Sequence, residues 1–312
     1  MAEPGFTLVQ LRYFTTAARL GSMTAAAAEL VVSQSAISTA VAQLERQLGV
    51  QLLLRHHAKG LTLTEAGQGV FVEALRLLDH SAELAELARE AGSELRGSLS
   101  VGCFTTLGPF ELPGIVSEYQ RLHPLVRINV IEAEHAALKH KLRGAECELA
   151  LLYGYELDDD LDIKTVALAA PYVIVSPTHR LAQRGSVHLA ELADDPMVLL
   201  DLPHSAGYLR SVVESVGVRP DVRHRSSGFE TVRAMVAHGH GYAVLNQRPN
   251  HSLTYDGAPV VALDIADEVP PLAVVVAWLK GVRLTRRARA FVAVAHRLHR
   301  DQQPRLSEYP MT

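Results

Sequence analysis

Residues 24–48, TAAAAELVVSQSAISTAVAQLERQL, constrain the fold more than any other stretch, because they read as two short helices joined by a tight turn. Ser33 offers a side-chain oxygen to the free N–H groups that open the second helix, and Gly49 readily takes the left-handed conformation that ends it. The second helix is therefore predicted from Gln34 to about Leu48. Ile37, Val41, Leu44 and Leu48 recur at steps of four, three and four and make one buried stripe. Gln34, Ser35, Ser38 and Thr39 fall on the other side, near the N-terminal end. That face is short, uncharged and rich in hydrogen-bonding groups. It suits the DNA major groove, where glutamine bonds an adenine edge in two places and serine or threonine bonds several bases. The preceding helix, from about Thr24 to Leu30, is almost all alanine and can pack close behind the reader. The plain alternative is a helical hairpin in some core, with its serines on a solvated face.

The flanks favour the DNA reading. Leu8, Leu11, Phe14 and Ala18 mark a helix ending at Gly21, and after Gly49 come two short extended pieces around a Lys59–Gly60 turn, the pattern of a winged helix-turn-helix. The order LRYF, GSMTAAAAEL, SQSAIS, QLE, LGVQLLLR and LTLTEAG, followed by a long helix and LRGSLSVG, resembles the LysR-type transcriptional regulators over nearly the whole chain. Ser35 stands where that family most often has proline, Leu53 where it has phenylalanine, and Thr39–Ala40 where a pair usually includes arginine. The candidate DNA contacts are Thr24, Ser33, Gln34, Ser35, Ser38, Thr39, Arg46, Arg55 and Lys59. Residues 1–64 carry five basic and three acidic side chains, a balance of +2 against −4 for the chain. So weak a positive field predicts modest affinity per protomer, strong salt dependence and more than one reading head per site. His56 and His57 add charge there below about pH 6.5 if they titrate normally, and are otherwise simply exposed.

A chain of 312 residues with 48% apolar and 21% charged residues belongs to a globular protein of two or more domains. No N-terminal run reads as a signal peptide, and none approaches the roughly 18 apolar residues of a membrane span, so a cytoplasmic protein with no membrane partner is expected. Cys103 and Cys147 lack a CxxC spacing and read as small buried residues, the alternative being a redox pair.

Thr64 can cap a long amphipathic helix from Glu65 to about Ser93. The resemblance makes this the linker helix, pairing antiparallel with its twin in a dimer; a helix lying on its own domain is the alternative. The domains expected are a winged helix-turn-helix over 1–64, a linker and dimerisation helix over 65–93, and an effector domain over 94–312. Strand-like runs at Leu99–Val101, Arg127–Glu132 and Glu148–Leu152 alternate with helices at about Phe110–Leu122 and Glu134–Arg143, which is the signature of βαβ units and a parallel sheet. A second set follows, with strands at Tyr172–Ser176, Met197–Leu200, Val222–Arg225 and Tyr242–Leu245, helices between them, an apolar strand at Leu272–Trp278 and a last helix over Thr285–Arg300. The fold class is thus an all-α winged helix-turn-helix, a long linker helix, and a C-terminal α/β two-lobed domain. The resemblance implies that this domain is like the periplasmic binding proteins, with the chain crossing twice between a lobe of about 99–166 and 272–300 and a lobe of about 167–267.

Ligands of doubly wound sheets bind outside the carboxyl ends of the strands, where helix N-termini present free N–H groups. That rule selects the loops holding Thr105 and Thr106, His135, His204 and Ser205, and Asn246. The resemblance implies that these loops contact the effector and adds Phe229. Such a cleft suits a small molecule bearing a carboxylate or similar acceptor; Asn246, where the family has proline, points to a more polar or differently shaped one. His238–Gly239–His240 has a metal-like spacing but sits at a helix end, and no metal or cofactor is expected. Asp158–Asp159–Asp160 reads as a solvated run. No nucleophile elbow, HExxH, P-loop or GxGxxG is present, so an enzyme is not expected. The partners implied are an operator in double-stranded DNA, a small-molecule effector, a second copy or a tetramer of the chain, and RNA polymerase. A solute receptor and an enzyme on the same scaffold are the rival readings, and neither gives Gln34 or Ser38 a role.

Overall fold

The structure is a computed structural model that describes residues 5–56, 60–89, 94–203 and 205–300, grouped in two compact units. In the first, helices α1 (Leu8–Leu20), α2 (Met23–Leu30) and α3 (Gln34–Leu48) open on Thr7, Ser22 and Ser33. The side-chain oxygens of these residues accept from the backbone N–H of Gln10, Ala25 and Ala36, satisfying donors that a helix start leaves free. The helices end on Gly21, Val31 and Gly49 in the left-handed region. Val31 holds φ 55°, an unusual conformation for a β-branched residue, and this keeps the turn between α2 and α3 tight. Leu11, Phe14, Ala26, Ile37, Val41 and Leu44 form the core, and Phe71 meets Phe14 edge to face at 6.3 Å. Ala26 is fully buried, which is why this helix has to be small-sided.

Strands β1 (Leu53–His56) and β2 (Gly60–Leu63) pair antiparallel, with Leu53 opposite Leu63. Glu45 of α3 fixes the entry to this wing: its Oε1 accepts from Leu52 N at 2.8 Å and Leu53 N at 3.1 Å. Glu45→Ala leaves both N–H groups without that acceptor and is expected to lower stability by about 2 kcal/mol, read as a shift of the urea midpoint at unchanged slope. Helix α4 (Glu65–Arg89) opens on Thr64, whose Oγ1 accepts from Gly67 N at 2.8 Å. At Gly67 a Cβ would stand 2.1 Å from Leu52 O, so only glycine lets α4 run this close to the wing. The helix holds 25 residues, about 37 Å at about 1.5 Å each. The last residues of the longer helix expected from sequence, 90–93, lie outside the described residues, as do 57–59 in the wing.

After α4 the chain forms β3 (Gly97–Phe104), α5 (Gly108–Leu122), β4 (Val126–Ala133), α6 (His135–Arg143) and β5 (Leu149–Tyr153), in which β3 lies parallel to both β4 and β5. After β6 (Leu161–Ala169) the chain passes to a second set: β7 (Tyr172–Val175), β8 (Ser186–Val187), a 3-10 turn at Leu189–Leu192, β9 (Pro196–Leu200), α7 (Ser205–Glu214), β10 (Asp221–Ser226), α8 (Phe229–Ala237), β11 (Ala243–Leu245) and β12 (Val261–Ile265). It returns as β13 (Leu272–Leu279) and ends in α9 (Arg286–Arg300). The first sheet has the order β4-β3-β5-β13-β6; the second lobe has β11-β7-β12-β8 beside the parallel pair β9 and β10, bridged by Met197 and Tyr242. Two crossings, at Ala169–Tyr172 and Ile265–Leu272, join the lobes.

The sheets are mixed rather than parallel. The returning strand β13 runs antiparallel to β5 and β6, with Val275 opposite Leu152 and Val274 opposite Ala167, and β7 is antiparallel to β11 and β12. Strands β6, β8 and β12 were not among those expected: β6 is an edge strand that starts straight after the acidic run, with Ile163 exposed, and β8 has only two residues. The acidic run itself is not simply solvated. Asp158 Oδ1 takes Lys139 Nζ of α6 at 2.8 Å, with the lysine side chain only 11% exposed. Among the described residues no single helix is long and apolar enough to cross a membrane.

Candidate functional site

In the first unit Gln34, Ser35 and Thr39 are exposed and Ser38 is half-buried, so the N-terminal face of α3 is open to a partner while Ile37, Val41 and Leu44 are turned into the core. Thr24, at the second position of α2, is exposed as well. Ser33 is engaged as the helix cap: its Oγ lies 3.1 Å from Ala36 N and 3.0 Å from Ser35 Oγ. Arg46 is exposed in the last turn of α3. It stands about 18 Å along the axis from Gln34 at about 1.5 Å per residue, placed for a backbone phosphate rather than for the bases that Gln34 reaches. Arg55 belongs to β1; its side chain and Lys59 lie outside the described residues. Arg19 is paired with Glu29 on the surface.

In the second unit the strand ends of both lobes enclose a cleft. Thr106, His135, Ser205, Phe229 and Asn246, predicted from four separate loops and helix starts, line it together. Thr105 is not part of the lining, because β3 ends at Phe104 and it is Phe104 and Thr106 that reach the cleft. His204 lies outside the described residues. His135 opens α6, is 2% exposed, and its Nε2 lies 3.2 Å from Tyr153 O. Asn246 Nδ2 donates to Ala169 O at 3.1 Å and to Tyr208 Oη at 3.3 Å, while Gln247 Nε2 donates to Tyr153 Oη at 3.2 Å. Burial raises the Tyr153 hydroxyl to about 12 and pushes that of Tyr208 up, so both stay protonated at neutral pH. Ser205, His135 and Phe229 each begin a helix, which sets three helix N-termini around the space. At a fourth helix start, Gly108 of α5, the Glu132 carboxylate stands close by: a Cβ on Gly108 would lie 3.3 Å from both of its oxygens.

A family model described as "LysR substrate binding domain" matches residues 92–300, and one described as "Bacterial regulatory helix-turn-helix protein, lysR family" matches residues 8–68. The chain belongs to the LysR family of transcriptional regulators. The crystal structure of HinK, a LysR family transcriptional regulator from Pseudomonas aeruginosa, is 34% identical over 94% of this chain and 98% of its own, with a TM-score of 0.64. Full-length OxyR from the same organism is 26% identical over 93% and 98%, with a TM-score of 0.75. HcaR, the Hca operon transcriptional activator of Escherichia coli, is 26% identical over 92% of this chain and 96% of its own. As a LysR regulator the protein binds DNA through its helix-turn-helix, and a small-molecule effector bound between the lobes of its C-terminal domain modulates its activity.

The LysR regulator's cleft also holds residues that sequence reasoning missed, chiefly Phe104, Tyr153, Tyr155 and Tyr208, while Gln247 joins Asn246 from the loop after β11 that the sequence had singled out. The signal was present for three of them. Phe104 ends β3, and the carboxyl-end rule applied to β5 leads straight to Tyr153 and Tyr155. Tyr208 could not be read that way, since it reaches the cleft from the first turn of α7.

Both cysteines are free and buried. Burial, then the charges of Glu132 and Glu111, push the Cys103 thiol far above its ordinary range. Cys103 is therefore expected to resist iodoacetamide in the folded protein at pH 8 and to react fully in urea; mass spectrometry of the two samples reads this directly, and alkylation of the folded protein within minutes would contradict it. His238 pairs with Asp256 at 2.8 Å and the ring of His224 lies 5.3 Å from that of His240, but no group of three His, Cys, Asp or Glu able to hold a metal occurs among the described residues.

Proposed function

We propose that Gln34, Ser35, Ser38 and Thr39 read base edges in the major groove, that Thr24, Ser33, Arg46, Arg55 and Lys59 hold the operator backbone, and that the cleft residues Thr106, His135, Ser205, Phe229 and Asn246 hold the effector. The observation that carries the first part is the uncharged, exposed N-terminal face of α3 set over a core of Ile37, Val41 and Leu44. The three helix N-termini at the cleft support an effector with a carboxylate or similar acceptor.

The protein works as a dimer or tetramer built through α4, with reading heads on half-sites about one helical turn apart or a multiple of it. Leu77 and Leu84 of α4 are seven residues apart and 43% and 68% exposed, which supports a helical partner on that face. Leu77→Glu with Leu84→Glu is expected to shift the full chain to a smaller species in sedimentation at micromolar concentration; an unchanged sedimentation coefficient would remove the role of α4. The effector favours one of two arrangements of the oligomer and so changes DNA bending and contact with RNA polymerase. The test is reporter transcription from the selected operator in cells carrying the wild type or Thr106→Tyr, which fills the cleft. Operator occupancy is expected to persist while the response to inducing growth conditions is lost; a full response from a folded variant would separate the cleft from regulation.

A further inference from the structure

The cleft is walled by rings from both lobes. Phe104, Tyr153 and Tyr155 come from one side and Tyr208 and Phe229 from the other. Tyr155 and Tyr208 meet edge to face across the gap, with centroids 5.6 Å apart and planes at 60°. The free space behind them is about 30 Å³. That is room for about two waters, where occupied ligand pockets span several hundred Å³. A ligand therefore enters by taking the place of a side chain.

Which side chain moves follows from how each is held. Tyr208 stands on α7 and its hydroxyl accepts from Asn246. Tyr155 is half-buried in the loop after β5, next to Glu156, which holds a left-handed φ of 48°. The far end of that loop is pinned where Asp158 meets Lys139 of α6. Tyr155 stands on a loop, with its hydroxyl bonded to the neighbouring Glu156 of the same loop, whereas Tyr208 stands on a helix with its hydroxyl tied to Asn246, so Tyr155 is the ring that gives way.

We propose that the effector is a compact aromatic or heteroaromatic ring carrying one hydrogen-bond acceptor, and that it binds by displacing Tyr155 and packing on Tyr208. This rests on the cleft being the effector site. A ring that displaces Tyr155 restores the edge-to-face contact it breaks, whereas a saturated ring of the same size does not, a difference of roughly two- to tenfold in affinity for each ring contact. The acceptor is met by the Ser205 hydroxyl at the start of α7 and by the Thr106 hydroxyl, which turns to it from Tyr153. Apart from His135, the lining has no Lys, Arg, Asp or Glu side chain among the described residues, so amide and carboxylate forms of the same ring both fit.

Three matched pairs test this by calorimetry on the full-length protein: benzoate, phenylacetate and benzamide, each beside its cyclohexyl counterpart. At least one aromatic member is expected to bind about tenfold or more tighter than its saturated partner. Tyr155→Ala, a change in the loop after β5 rather than in a helix or strand, is expected to tighten aromatic binding about three- to tenfold by removing the competing ring, and Tyr208→Leu to weaken it by a similar factor. Equal binding of both members of a pair, lost in Thr106→Tyr, would overturn the aromatic class and leave the cleft as the effector site. Binding that survives in a folded Thr106→Tyr protein would overturn both. Binding by none of the six, or aromatic binding unchanged by Tyr155→Ala, would overturn the inference.

Discussion

A protein carrying Gln34→Ala and Ser38→Ala is expected to lose about 100-fold in affinity for its operator while keeping its salt-dependent binding to unrelated DNA. The two residues lie one turn apart on the exposed side of α3. A bidentate glutamine–adenine contact contributes about 1–3 kcal/mol of discrimination and a serine hydroxyl about 1 more. At about 1.4 kcal/mol per tenfold, the sum falls between roughly 30-fold and 1,000-fold. Non-specific binding rests on Arg and Lys contacts to phosphate, which these changes leave in place. Neither side chain belongs to the core, so the melting temperature is expected to stay within the small range of surface substitutions. Gel shifts with operator and scrambled duplexes at the same salt measure the ratio; operator affinity within twofold of wild type would take Gln34 and Ser38 out of recognition.

The largest loss of stability is expected at Arg233→Leu. Arg233 sits on α8 with its side chain 3% exposed and ties that helix to the loop that follows β11. Its Nη1 donates to Glu230 Oε2 at 2.7 Å, and its Nη2 donates to Leu253 O at 3.1 Å and His251 O at 3.4 Å. Glu230 completes the tie by accepting from Tyr255 N at 2.7 Å. Leucine fills part of the volume but leaves the Glu230 carboxylate, 17% exposed, without its cation, and two carbonyls without their donor. Removing one partner of a buried pair costs about 3–5 kcal/mol. Because the loop runs from Asn246 of the cleft, the loss is expected to loosen effector binding as well as lower the unfolding midpoint of the C-terminal domain. A double variant with Glu230→Leu is expected to recover part of the loss, and a single variant as stable as wild type would mean the pair is not desolvated.

How much of this was legible in the sequence depended on how local the signal was. Helix α3 came out to the residue because Ser33 and Gly49 mark its two ends and four apolar positions fix its face. The reading face followed from the same helix, since an exposed side is what a buried stripe leaves over. Strands β4, β5 and β9 were found to within one residue at each end and β3 to within three, because each is a short run set between helical segments. Strand β6 was missed because its pairing partner, β13, lies more than a hundred residues away, and nothing near Leu161–Ala169 announces that partnership. The same distance hid the antiparallel return of β13. In the cleft, the carboxyl-end rule found Thr106, His135, Ser205 and Asn246 but also Thr105, since a loop does not tell which of two adjacent residues turns inward. The aromatic wall was less legible: a ring such as Tyr208 becomes part of a site only once two lobes bring it against Tyr155.

The central claim is that the exposed face of α3 reads a specific operator. Selection from a random duplex pool with the purified full-length protein at about 100 mM salt, followed by sequencing of the recovered fragments, tests it most directly. The account predicts enrichment of an interrupted palindrome whose half-sites are spaced by about one helical turn or a multiple of it, and loss of that enrichment with Gln34→Ala and Ser38→Ala. Recovery of DNA with no sequence in common, with and without added metabolite mixtures and across a range of salt, would contradict it.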